Sequence, residues 1–183
     1  MTSPAPHDVT VIGCGTLGTS LALALTRAGR SVALADRDPH ALARAVFRGA
    51  GTELAPDSPP AGLVVVATPT AAVVDTLYEA QTTGLGRAYT DLTAGNHGIW
   101  DEARLRGCDL RGYVPGRPRL AARPAGPAAG LFAGRPWTVC PYPLVEPDAL
   151  DAVDLLVRTC GAHRDDVPPG TRPSTPIPER GRR

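Results

Sequence analysis

The sequence predicts an α/β domain built on a doubly wound, mostly parallel sheet. Three observations carry that expectation. Short apolar runs, DVTVIG (8–13), SVALAD (31–36) and LVVVATP (63–69), alternate with segments whose apolar residues recur at helical spacing. The runs are near-continuous rather than alternating with polar residues, as expected of strands covered on both faces. Glycine, proline and aspartate fall at the joints between the two kinds of segment.

Taken in order, residues 8–13 read as a strand ending in glycine, and TLGTSLALALTRA (16–28) as a helix stopped by Gly29. The second strand, 31–36, leads into a helix over 38–49, with Asp38 as N-cap, Pro39 at the first helical position and Gly49 past the end. GTELAPDSPPAG (51–62) is a turn-rich connection. The strand 63–69 precedes a helix over 70–81, and RAYTDL (87–92) is a further strand. A short helix over 98–107 and a weaker strand, CDLRGY (108–113), follow. GYVPGRPRLAARPAG (112–126) reads as a loop, RPWTVCP (135–141) returns to strand character, and 146–161 is a helix with Pro147 near its start and Gly161 after it.

A chain of 183 residues suits one domain with a substantial core. Residues 1–7 are expected to be a flexible N-terminus, 8–167 the domain, and 168–183 a disordered tail, because the tail's prolines and arginines bury too little to offset ordering entropy. With 19 basic and 18 acidic residues the formal charge is +1, so no nucleic-acid partner is implied. No signal peptide or bilayer-spanning run is read, and a cytoplasmic protein without a membrane partner is expected. The four cysteines and four histidines are scattered, which argues for reduced thiols and against a metal site.

The chemistry-bearing motif is GCGTLG, Gly13 to Gly18, lying between the first strand and its helix. In that context Gly13 permits the tight turn, Gly15 admits a pyrophosphate to the backbone, and Gly18 lets the helix pack closely on the strand. Thr16 and Leu17 open the helix, whose free N–H groups and dipole favour phosphate. Asp36 ends the second strand, where its carboxylate can accept hydrogen bonds from adenosine ribose hydroxyls. That favours NAD; Arg37, able to pair with a 2′-phosphate, keeps NADP open. Ala67, Thr68 and Pro69 end the next strand and are expected to line the crevice. The reading is a Rossmann-type NAD(P)-binding domain.

The combination of VIGCGTLGTSLALALTRAG, ADRDPHALARA, LVVVATP and especially LFAGRPWTVCP resembles the N-terminal half of the prephenate and arogenate dehydrogenase family, over residues 8 to about 163. The resemblance implies an oxidoreductase that oxidatively decarboxylates prephenate or arogenate on the route to tyrosine. It also implies a histidine followed by proline as proton acceptor, and a serine in a D-V-G-S-V-K segment. Pro115 stands sixteen positions before Leu131, as in the family pattern, which puts Val114 at the histidine position. Gly116, Arg117, Pro118, Arg119 and Leu120 occupy the hydrophobic-A-G-T-E run; Asp91 matches, with Ala94 at the serine position and Asn96 at the lysine.

Neither Val114 nor Ala94 can accept a proton. His97 is the one histidine near the expected site and is the candidate catalytic base. Thr93 is expected to cap the following turn, and Arg117, Arg119 and Arg123 are expected to be loop residues rather than carboxylate ligands. The family's helical C-terminal domain is not recognised in this sequence, and the surface it covers is expected to be open to association with another chain. Two functions stay open: an oxidoreductase acting on a small-molecule substrate such as prephenate or arogenate, and a non-catalytic NAD(P)-binding or regulatory protein.

Overall fold

The computed structural model describes residues 7–93 and 98–167. The first strand, β1 (Val9–Ile12), runs into helix α1 (Thr16–Arg27); β2 (Val32–Ala35) and α2 (Pro39–Phe47) follow. The chain continues through β3 (Thr52–Glu53), β4 (Ala61–Val66), a 3-10 turn (Thr70–Ala72), α3 (Val73–Thr82), β5 (Gly86–Asp91), α4 (Ile99–Arg106) and β6 (Tyr113–Val114). These six strands form one parallel sheet in the order β3-β2-β1-β4-β5-β6. The order reverses between β1 and β4, and in open parallel sheets that reversal leaves a crevice at the carboxyl edge.

Both faces of the sheet are covered, and β4 shows how. Leu63 and Val65 enter a core with Leu21, Leu25, Val153 and Val157, on the side of α1 and of α5 (Pro147–Thr159). Val64 and Val66 enter a second core with Val73, Leu77, Ile99 and Ala103, on the side of α3 and α4. A strand with two dry faces must be apolar at every position, which is why LVVV shows no polar alternation. The helix boundaries follow local chemistry. Asp38 accepts a hydrogen bond from the His40 N–H as N-cap of α2, with Pro39 fixing the first turn.

Four expectations are corrected. Within the connection over 51–62, Thr52 and Glu53 add β3 at the sheet edge, held by pairing to Ala33 and Leu34 rather than by burial. The strand expected over 108–113 is confined to Tyr113 and pairs onward through Val114; Cys108 and Leu110 are buried without joining the ladder. The stretch over 112–126 is not all loop. It contains β6 and then β7 (Gly116–Pro118), which pairs antiparallel with β8 (Pro136–Val139). A second, three-stranded sheet results, completed by β9 (His163–Asp166) parallel to β8. The polar sequence HRDD carries no strand signal, because β9 is held by its ladder and its side chains face solvent.

The small sheet is no appendage. Trp137 and Phe132 are fully buried, their rings tilted with centroids 5.3 Å apart, and both join the core that holds Leu21 and Val65.

Candidate functional site

The glycine turn explains itself by space. Gly13 has φ +107°, and a Cβ there would stand 2.6 Å from the Ala67 carbonyl oxygen at the end of β4. At Gly18 a Cβ would overlap the Gly13 carbonyl oxygen, at 1.9 Å, so α1 can lie this close to β1 only with glycine. Gly15 differs from both. Nothing lies within 4 Å of where its Cβ would be, so no part of the described chain requires glycine there. Gly15 is also the N-cap of α1 and makes no side-chain capping bond, which leaves the first N–H groups of the helix for another acceptor.

These residues open on a cleft of about 1210 Å³ along the carboxyl edge of the sheet. Gly13, Gly15, Thr16, Leu17, Asp36, Arg37, Ala67, Thr68 and Pro69 all line it. Gly18 does not; it is buried and serves the packing of α1. Both Asp36 oxygens accept backbone hydrogen bonds, one from Cys14 and the other from Asp38 at 2.8 Å. The bonds fix the carboxylate at the end of β2, and each oxygen retains a lone pair for a further donor. Beside it, burial and then the Asp36 charge push the Cys14 thiol up to about 11, so this cysteine is inert at neutral pH.

The α3 part of the far wall was not foreseen. Thr76, Glu79 and Ala80 of α3 line that wall, together with Leu92 and a segment contributing Arg117, Pro118, Leu120, Arg123 and Pro124. Thr76 and Ala80 are buried positions of α3, which helical spacing marks as core and not as cleft lining. Arg117 belongs to β7 and not to a loop, which corrects its expected setting; Arg119 forms an ion pair with Asp165 of β9 at 3.7 Å.

At the end of β5 lies a buried acid. Asp91 is fully enclosed, and its carboxylate accepts from the Thr93 hydroxyl and N–H, from the Tyr113 hydroxyl at 3.2 Å and from the Gly116 N–H at 3.1 Å. Thr93 thus contacts Asp91, which is an interaction the turn-capping expectation did not include. Burial pushes the Asp91 carboxyl up, against the pull of those hydrogen bonds. The group ties the end of β5 to β6 and β7 and so shapes the cleft wall. Val114 is fully buried in the core, and the candidate base His97, with Ala94 and Asn96, lies outside the described residues. No histidine lines the cleft among the described residues.

The arrangement fits a dinucleotide on three counts. There is open space at Gly15, the α1 N-terminus lacks a side-chain cap, and the Thr68 Oγ1 is buried without a partner among the described residues. Comparison with known proteins agrees. A family model described as prephenate dehydrogenase, nucleotide-binding domain, matches residues 21–165. The chain belongs to that family. The match begins after Gly18, so the glycine turn is evidence independent of it.

A probable prephenate dehydrogenase, NovF, from Streptomyces niveus is 37% identical over 157 residues, which are 83% of this chain and 42% of that protein. The chain therefore spans less than half the length of this curated relative. Among solved structures, prephenate dehydrogenase from Aquifex aeolicus in complex with hydroxyphenyl propionate and NAD+ superposes with a TM-score of 0.76 at 19% identity, covering 92% of this chain and 62% of that one. Synechocystis arogenate dehydrogenase gives a TM-score of 0.76 at 20% identity, covering 88% and 59%. At such identities the structures establish the shared fold of the prephenate dehydrogenase nucleotide-binding domain. The described helices include none long and apolar enough to cross a membrane.

Proposed function

We propose that the chain binds NAD across the carboxyl edge of its sheet and forms the cofactor half of an oxidoreductase acting on prephenate or arogenate. The observation that carries this reading is the cleft in which the open Gly15 position, the uncapped α1 N-terminus and Asp36 lie together at the β1–β4 reversal. The N–H groups of Gly15 and Thr16 would hold the phosphates, Asp36 the adenosine ribose, and Ala67 to Pro69 the stretch beyond. A carboxylate at the end of β2 repels a 2′-phosphate, so NAD is preferred; Arg37, exposed beside it, leaves NADP as the alternative cofactor. When bound, the nicotinamide supplies a hydride acceptor for the substrate's hydroxyl-bearing carbon.

The chain's own contribution is to orient the ligands and to remove the hydroxyl proton. Val114 cannot do the second, since it is hydrocarbon sealed in the core. His97 is the residue we assign to it. The buried Val114 also favours a second reading, in which the chain binds the dinucleotide without catalysis and acts through binding alone.

One experiment separates the two. Purified protein is titrated with NAD and NADP by calorimetry, then given prephenate or arogenate while absorbance is followed at the reduced-nicotinamide band. Turnover that disappears in His97→Ala supports the oxidoreductase. Cofactor binding without turnover supports the binding protein, and no binding of either dinucleotide would sink both.

A further inference from the structure

We propose that Arg117 recognises a carboxylate of the second ligand, the one that meets the dinucleotide in this cleft; the inference rests on the cleft being the NAD site. The placement comes from the sheet order. Asp36 follows β2, the glycine turn follows β1, Ala67 follows β4 and Asp91 ends β5, so the four positions cross the carboxyl edge in the order β2, β1, β4, β5. Three strand spacings, about 14 Å, separate the ends of that row. The Gly116 N–H is tethered to Asp91 at 3.1 Å, so Arg117 leaves the backbone one residue from the β5 end and lines the cleft there with Leu92. A dinucleotide with its ribose on Asp36 and its phosphates on the glycine turn extends toward that end. Arg117 is beyond the phosphates, where a second molecule would sit.

The side chain is available for that role. Arg117 is half-buried and makes no ion pair or side-chain hydrogen bond with any described residue. Its cross-strand row is Thr138 on β8 and then Asp165 on β9, and Asp165 pairs with Arg119 instead. Among the described residues the acids lining the cleft are Asp36, Asp38 and Glu79, and none of them pairs with Arg117. Its base is ordered on both sides. Cys140 donates to the Pro115 carbonyl at 3.1 Å and Arg119 to the Pro136 carbonyl at 2.9 Å, so β7 holds the guanidinium on a strand. A cation held in a partly dry cleft without a counter-charge favours an anionic ligand, and a planar guanidinium suits a carboxylate in two-point contact.

Arg123 provides an internal contrast. Past β7 the chain returns over α1, where the Ala128 N–H donates to Ser20 Oγ at 3.0 Å, and Arg123 and Pro124 line the cleft on this returning segment. Arg123 is therefore assigned to the nucleotide phosphates and Arg117 to the carboxylate. An anion on Arg117 could come from either source, and the test separates them.

The probe is 4-hydroxyphenylpropionate, with 4-ethylphenol as the uncharged control. Binding to the full chain saturated with NAD is read by ligand-observed NMR, and NAD affinity separately by calorimetry, for wild type, Arg117→Ala, Arg117→Gln, Arg117→Lys and Arg123→Ala. The acid should bind wild type more tightly than the phenol. Arg117→Ala and Arg117→Gln should weaken the acid about tenfold or more, leave NAD affinity unchanged and keep the wild-type unfolding midpoint, with partial recovery in Arg117→Lys. Arg123→Ala should weaken NAD and spare the acid. The proposal is overturned if the Arg117 variants bind the acid as wild type does, if their loss falls on NAD, or if NAD-saturated wild type does not bind the acid. Failure of wild type to bind NAD would overturn the cofactor assignment itself, and this inference with it.

Discussion

At the residue scale, three glycines within six positions answer to different forces. Gly13 and Gly18 are required by the chain's own backbone, whereas no described residue fills the space beside Gly15. Gly15→Val should therefore leave the thermal midpoint near wild type, because φ −70° and ψ −172° suit a β-branched residue, while NAD affinity falls about tenfold or more. Gly18→Ala should do the reverse in order, with the loss appearing first as destabilisation of about 1–3 kcal/mol in chemical unfolding. Asp91 makes a second residue-scale prediction. Its carboxyl is raised in the fold, so the native state holds the proton more tightly than the unfolded chain does. The associated stability is present below the unfolded value and is lost as pH rises through the folded one. Stability of wild type relative to Asp91→Asn should thus fall as pH is raised from about 4, measured by denaturant midpoints across pH. A flat difference across that range would contradict the raised carboxyl.

At the element scale, the helices were legible because their signals are local. Asp38, Pro39 and Gly49 bracket α2, and Pro147 opens α5, so capping chemistry placed these ends within a residue or two. The strands β1, β2 and β4 were legible for the opposite reason, since burial on both faces forces a near-continuous apolar run. Leu77 on α3 belongs to the core under β4 and β5 and is fully buried. Leu77→Ala should cost about 2–5 kcal/mol, read from the denaturant midpoint, without moving the glycine turn. What was not legible at this scale was β9, whose residues are polar, and β7, whose Arg and Pro resemble loop composition. Strands stabilised by pairing with a distant partner leave no periodic trace.

At the scale of the whole molecule, the second sheet is bound to the first by one shared core. Trp137 and Phe132 pack with Val114, Val139 and Val153, and Asp91 adds the polar tie from β5 to Tyr113 and Gly116. Trp137→Ala should accordingly cost about 3–5 kcal/mol and lower a single cooperative transition, followed by both near- and far-ultraviolet circular dichroism. Two separate transitions would show that the sheets unfold independently.

Residue pattern alone carried the parallel α/β fold, the glycine turn and the acid at the end of β2, because each depends on neighbours close along the chain. It took the packed chain to show that Val114 is sealed in the core, that Asp91 is a buried junction and that Arg117 stands on a strand facing the cleft. The setting of Arg117 depends on β8, which lies some twenty residues from β7 in the chain and yet fixes where the side chain is held. Contacts of that separation are set by which surfaces can be buried together, and a linear pattern of residues does not encode them.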